Sequence, residues 1–155
     1  METIDEAALT DVPQLAELLE LLFSQEADFQ PDRAKQERGL NLIIEAPWVG
    51  RVFAARDGDQ LVGMVLLVFT VSTAEGGPVC LLEDLVVRAD HRGNGLGTRL
   101  LLHALAYADT HGYSRVTLLT DRVNEGALRL YRRHGFVASG MQVLRRSVRP
   151  GDPSY

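Results

Sequence analysis

Between Leu85 and Thr98 the sequence changes its habit abruptly. An apolar stretch, Leu85-Val86-Val87, passes through Arg88-Ala89-Asp90-His91 into Arg92-Gly93-Asn94-Gly95-Leu96-Gly97-Thr98. Leu96, Leu100, Leu101, Ala104, Leu105 and Ala108 then recur at helical spacing as far as Gly112. A strand that turns through glycines into a helix leaves unpaired N–H groups and the positive end of the helix dipole facing outward. Such an end attracts anions. Gly93, Gly95 and Gly97 keep side chains away from those groups, Arg88 and Arg92 add charge, and Thr98 adds a hydroxyl. The segment reads as a pyrophosphate cradle. The next apolar run, Arg115–Thr120, follows a crossover long enough for parallel pairing with the strand before the glycines, which makes a right-handed βαβ unit.

The remaining elements arrange themselves around that unit. Thr3–Ala7 reads as a short first strand. Thr10 or Asp11 caps a helix carrying Leu15, Leu18, Leu19 and Leu22, and Pro31 opens a second helix that Pro47 stops. Arg51–Arg56 and Gln60–Phe69 flank Asp57-Gly58-Asp59, a hairpin signal. Val79–Arg88 is the third strand of an antiparallel set. Asn124–His134 is a helix closed by Gly135, and Phe136–Arg146 is expected to supply a last strand. The fold class is α/β: a mixed, largely antiparallel central sheet with parallel central strands, flanked by helices.

Composition removes several classes of function. At 155 residues with 46% hydrophobic and 24% charged side chains, the chain suits one folded domain. A net charge of −5 argues against a dedicated nucleic-acid binder. One cysteine, Cys80, makes no internal disulfide. The acidic start is unlike a signal peptide, and apolar runs are too short to span a bilayer. A cytoplasmic location is expected, with no membrane partner. Residues 1–32 hold nine acids and no Lys or Arg, while residues 127–149 hold six Arg and no acid. A cationic ligand near the first and an anionic one near the second would suit that field, as would two solvated, balancing faces.

Other phosphate-binding loops fit less well. A Walker loop needs Gly-Lys followed by Ser or Thr, and Lys35 is the only lysine. A dinucleotide fingerprint needs a third glycine where Thr98 stands, although Asp121 lies roughly where a ribose-binding acid would be. A nucleotide-cofactor module therefore stays an alternative. His91, His103, His111 and His134 lack metal-ligand spacing, so no metal is expected. Cys80 lies in an apolar run and reads as packing. Trp48 and Phe29 read as packing or as the wall of an acceptor pocket.

Arg92-Gly93-Asn94-Gly95-Leu96-Gly97, after the strand Leu85-Val86-Val87, resembles the Arg/Gln-x-x-Gly-x-Gly/Ala loop of the GCN5-related N-acetyltransferases, the GNAT family. Asn124-Glu125-Gly126-Ala127-Leu128-Arg129-Leu130-Tyr131-Arg132-Arg133-His134-Gly135-Phe136 is similar to that family's Asn-x-x-Ala-x-x-x-Tyr-x-x-x-Gly-Phe motif. The resemblance implies one N-acetyltransferase domain over 2–149 with a tail at 150–155. It also implies acetyl-CoA as co-substrate, attack by an acceptor amine in a ternary complex, and parallel strands splayed around the pantetheine arm. Backbone groups of Leu85, Val86 and Val87 would hold that arm. Arg92, Gly93, Asn94, Gly95, Leu96, Gly97 and Thr98 would hold the pyrophosphate. Asn124 would contact CoA, cap its helix, or do both. A homodimer is a tendency of the family that no stripe in this sequence argues for separately.

Two proton transfers need residues. A CoA thiol with a pKa near ~8.5 can take its proton from a positioned phenol near ~10 over a short distance, and the motif assigns Tyr131 as that general acid. The attacking ammonium must lose a proton, and Glu83 and Asp84 immediately precede the pantetheine strand. Neighbouring strand side chains point to opposite faces, so at most one of the two is expected to meet the substrate, and a bulge could re-aim either. Leu82-Glu83-Asp84-Leu85 is similar to family members that acetylate polyamines or amino sugars, which favours Glu83 as base or water-positioning group. The expected acceptor is a small cationic amine. A non-catalytic CoA-binding sensor and a protein-interaction domain are the rival classes.

Overall fold

The computed structural model describes residues 1–26 and 28–149. The expected tail at 150–155 lies outside the described residues. The chain divides after Leu119 into two compact units.

The first unit is built on a five-stranded sheet in the order β1-β2-β3-β4-β5. The strands are β1 (Thr3–Glu6), β2 (Gly50–Asp57), β3 (Gln60–Ser72), β4 (Gly77–Val87) and β5 (Val116–Leu118). β1 through β4 pair antiparallel, and β4 pairs parallel with β5. The period-2 alternation sorts each strand onto two faces. Val52, Ala54, Met64, Leu66 and Val86 are buried in a core with helices α1 (Val12–Phe23) and α2 (Arg33–Glu45). Phe53, one residue out of phase, meets His103 and Tyr107 of α3 (Leu96–Thr110) at ring-centroid distances of 4.8 and 5.3 Å on the other face. Leu15, Leu18 and Leu40 are at most 2% exposed, and each such side chain is worth roughly 2 kcal/mol of burial.

Helix starts follow local hydrogen bonding. Asp32, not Pro31, begins α2, its carboxylate accepting the Lys35 N–H at 3.1 Å. Asp11 stands before α1 without capping it. Its carboxylate accepts the Ala8 N–H at 2.8 Å across a short 3-10 turn (Leu9–Asp11) and meets the Arg56 guanidinium at 2.7 Å. Arg56 holds that carboxyl below its ordinary pKa.

The second unit contains α4 (Glu125–Arg133), capped by the Asn124 side chain, which accepts the Ala127 N–H at 3.2 Å. The strand expected over Phe136–Arg146 is absent from the described residues. A strand needs a ladder partner and a face to bury. Here Val137, Met141 and Leu144 are 86–89% exposed, so the segment gains neither. β5 is likewise shorter than the expected run Arg115–Thr120.

Candidate active site

The site begins where β4 loses its neighbour. The last β4–β5 pair is Leu82 with Leu118, and Glu83–Val87 continue with an open edge on that side. The same five residues remain paired with β3 on the other side, but not evenly. Leu66 faces Glu83 and Met64 faces Val86, so one β3 residue, Val65, stands opposite two on β4, Asp84 and Leu85. This is a β-bulge. Asp84 takes it up with φ +55°, making it the one non-glycine residue with positive φ among those described. Left-handed backbone costs an L-residue about 1 kcal/mol or more, and Asp tolerates it better than most.

The bulge resets which polar groups face the opening. The Arg88 N–H donates to the Val62 carbonyl at 2.8 Å. Alternation therefore turns the polar groups of Val86 to β3 and those of Leu85 and Val87 to the open edge. Without the extra residue, Leu85 would face β3. Of the three residues expected to hold an extended ligand arm, Val86 thus spends its backbone on the sheet, which corrects that expectation. The Val87 carbonyl is occupied as well, accepting from Arg92 Nε at 2.8 Å. The Leu85 N–H and C=O and the Val87 N–H remain directed at the gap.

The strand leads through a second 3-10 turn (Ala89–His91) into the glycine loop. Gly93 and Gly95 have φ of +83° and +85°, with open space where a side chain would stand. These two glycines make the left-handed turns that aim α3 at the loop. Gly97 is helical and packs on Val87, 3.9 Å from its Cγ2 to an added Cβ. The Leu96 N–H is covered by Asn94 Oδ1 at 3.3 Å. Gly97 and Thr98, in the first turn, have no intrahelical acceptor for their N–H groups. Arg92 braces the loop through its Nε and keeps the rest of its guanidinium at the surface.

The loop has neighbours that no sequence spacing indicated. Glu2, 11% exposed at its side chain, meets Arg99 Nη2 at 2.6 Å and Asn94 Nδ2 at 3.4 Å. A cleft of about 380 Å³ is lined by Met1, Glu2, Asn94 and Arg99. Because Glu2 neutralises Arg99 there, that cleft adds little attraction for an anion. At the loop's foot His91 lies between Asp90 (2.9 Å) and Asp57 (3.2 Å), which raise its pKa.

On the acceptor side, Glu83 shares the α1/α2 face, since its cross-strand partner Leu66 lies in that core. Asp84 keeps slight exposure as a residue, yet its carboxyl is enclosed by protein. Burial first, then the charges of Glu83 and Glu26, push it up to about 7. Glu26, which follows α1, was not singled out by sequence reasoning. Only the fold brings it toward β4.

Trp48 is 79% exposed, whereas the Phe29 ring stands 5.6 Å from that of Phe23. Cys80 is buried and its thiol is pushed up to about 11, which suits packing. Asp121 Oδ1 accepts the Val123 N–H at 3.4 Å within a turn. In the second unit, Tyr131 packs edge-on against Phe136 with centroids 5.8 Å apart. No group of His, Cys, Asp and Glu suited to a metal occurs among the described residues. No helix there is long and apolar enough to cross a membrane.

A mixed sheet that parts beside a bulge, feeding a glycine loop and helix N-terminus, defines a class of acyl-transferase fold. The Acetyltransferase (GNAT) family model matches residues 13–136, and the chain belongs to that family. N-acetyltransferase 8F1 of Rattus norvegicus is 33% identical over 95 residues, 61% of this chain and 43% of that protein. The chain thus spans about two fifths of the length of such curated relatives. Among solved structures, an integron cassette protein from the mobile metagenome of Cole Harbour Salt Marsh aligns with TM-score 0.81 at 27% identity, covering 95% of this chain and 91% of its own. A predicted acetyltransferase from Clostridium acetobutylicum, solved with acetyl-CoA, shares the fold at TM-score 0.79 and 16% identity, covering 94% and 96%.

Proposed function

We propose that the protein transfers an acetyl group from acetyl-CoA to the amine of a small cationic acceptor. The observation that carries this reading is the continuity, within one unit, of the open β4 edge at Leu85 and Val87 with the glycine loop at Gly93–Thr98. The loop's bare N–H groups suit a diphosphate, and an open strand edge suits the amide-bearing arm attached to it. An N–H at the gap would polarise the thioester carbonyl as an oxyanion donor. Loop residues Arg92, Gly93, Asn94, Gly95, Leu96, Gly97 and Thr98 serve the diphosphate, and Asn124 serves as cap and CoA contact. Tyr131 returns a proton to the departing thiolate, a role that rests on the motif around it.

The carboxylates Glu83 and Asp84 supply the base for the ammonium. The cationic preference rests on the negative charge that Glu83 and Glu26 place beside Asp84. Among the other acids of the first 32 residues, Glu2 pairs with Arg99, Asp5 and Asp11 with Arg56, Glu6 with Arg51 and Glu20 with Arg33.

Calorimetry with acetyl-CoA tests the donor half. Wild-type protein is expected to bind, and Gly95→Glu, with an unchanged circular-dichroism spectrum, to lose at least tenfold in affinity. Equal affinity would refute the cradle. Thiol release with polyamines, amino sugars and aminophosphonates tests the acceptor half; turnover confined to neutral or anionic amines would refute the cationic preference. Binding without release from any amine would leave a sensor.

A further inference from the structure

We infer that Glu2 is a positioning residue for acetyl-CoA, an assignment that rests on the acetyltransferase reading above. Its carboxylate holds Asn94, and through it the start of α3, in the arrangement that leaves the Gly97 and Thr98 N–H groups for the diphosphate. Little within the loop fixes Asn94. It stands between Gly93 and Gly95, at φ of +83° and +85°, and glycine takes either sign of φ about as readily. A tether from outside the loop restricts it, and Glu2 supplies one. Glu2 leads directly into β1, whose pairing with β2 begins at Thr3 opposite Arg56, so the sheet anchors its backbone. Arg99 Nη1 donates to the Glu2 carbonyl at 3.3 Å and Nη2 to its Oε2 at 2.6 Å. Asn94 Nδ2 donates to the other oxygen, Oε1, at 3.4 Å.

The two carboxylate oxygens thus have separate tasks. Arg99 takes Oε2 and keeps the acid ionised, holding its pKa below the ordinary carboxylate value. Oε1 is left for Asn94. An ionised carboxylate only accepts, so it meets the NH2 end of the Asn94 amide and turns Oδ1 the other way, onto the Leu96 N–H at 3.3 Å. Reversed, the amide would set its own donors against that N–H. With the Leu96 N–H covered, the next two in the first turn face an anion. Charge by itself gives Glu2 no purpose here, because a carboxylate beside an anion site repels the ligand. Arg99 cancels that repulsion, and the tie to Asn94 is what the carboxylate adds.

Calorimetry with acetyl-CoA on Glu2→Gln, Asn94→Ala and the double variant is the test. Glutamine offers one acceptor oxygen where two are used, so Arg99 or Asn94 loses its partner. Each single variant is expected to weaken acetyl-CoA binding by about three- to tenfold, and the double variant to bind no more weakly than either. In turnover the loss should fall on the KM for acetyl-CoA rather than on kcat. A mere counter-charge to Arg99 predicts the opposite sign, tighter binding in Glu2→Gln, because the loop gains positive charge. A role confined to stability predicts easier unfolding in urea with affinity unchanged. Either result would overturn the assignment, as would losses that multiply in the double variant. Asn94→Ala, at an exposed position, removes the tie while sparing the Glu2–Arg99 pair, and so serves even if Glu2→Gln does not fold; full affinity in it would also overturn the assignment. Wild-type protein that binds no acetyl-CoA would overturn the acetyltransferase reading as well. Wild-type binding with unaltered variants would overturn the assignment of Glu2 alone.

Discussion

At the scale of single residues, Asp84 shows why a site can oppose stability. Its carboxyl is held near 7 against an ordinary 3.8, and each unit of such a shift corresponds to about 1.4 kcal/mol. Above neutral pH the folded protein therefore carries a desolvated charge that the unfolded chain solvates freely. Asp84→Asn is expected to raise the unfolding free energy at pH 8 by about 2–4 kcal/mol, measured by urea denaturation, with little change at pH 4. No gain at pH 8 would mean that the carboxyl is well solvated after all. The sequence named Glu83 and Asp84 as the two candidates, because acids beside the strand were visible. The resemblance favoured Glu83; the residues by themselves could not rank the two, since their surroundings depend on which of them meets the bulge and on Glu26, which stands 58 positions earlier.

At the scale of elements, the helix after the glycine loop is fixed to the sheet by a close approach at Gly63. A Cβ there would stand 2.9 Å from Leu100 Cδ1 and 3.1 Å from the Val86 carbonyl oxygen. Gly63→Ala must therefore turn the buried Leu100 side chain aside and crowd the Val86 carbonyl beside the bulge. Overpacking of this kind typically costs about 1–3 kcal/mol. A fall in unfolding free energy of that size, with weaker acetyl-CoA binding, is the expected outcome; calorimetry and urea denaturation would show it, and unchanged values would deny the contact any role. The hairpin over Asp57-Gly58-Asp59, the helix after the loop and the Asn124 cap were all legible, because turn chemistry and periodicity are local. The strand expected over Phe136–Arg146 was not realised. Its apolar residues gave a strand-like pattern, yet a strand exists only where another strand accepts its hydrogen bonds.

At the scale of the whole molecule, ionisable groups pull stability in opposite directions along the pH axis. Asp11, lowered by Arg56, contributes stability above its ordinary pKa that is lost as pH falls through its lower folded value. Asp84, raised, loses stability as pH climbs from about 4 through 7. His91, raised by Asp90 and Asp57, adds stability below its ordinary value of 6.5 that disappears as pH rises past its folded value. The sum places the stability maximum on the acid side of neutrality, between about pH 4 and 6. Urea titrations at intervals from pH 3.5 to 9 should find it there and find its alkaline side flattened in Asp84→Asn; a stability that rises from pH 5 to 8 would contradict the balance. The charge gradient visible in the sequence has a plainer meaning once folded. Glu2, Asp5, Glu6, Asp11 and Glu20 hold arginines of their own unit.

The amino-acid sequence by itself determined the family, the strand–glycine–helix turn and the two motifs, because these depend on residues adjacent in the chain. Tertiary structure alone decided that β5 stops at Leu118, that the extra residue on β4 is Asp84, and that Glu2 and Glu26 reach segments far from them in sequence. Those outcomes depend on strand register and on what burial places beside a given carboxyl, and a linear spacing contains neither.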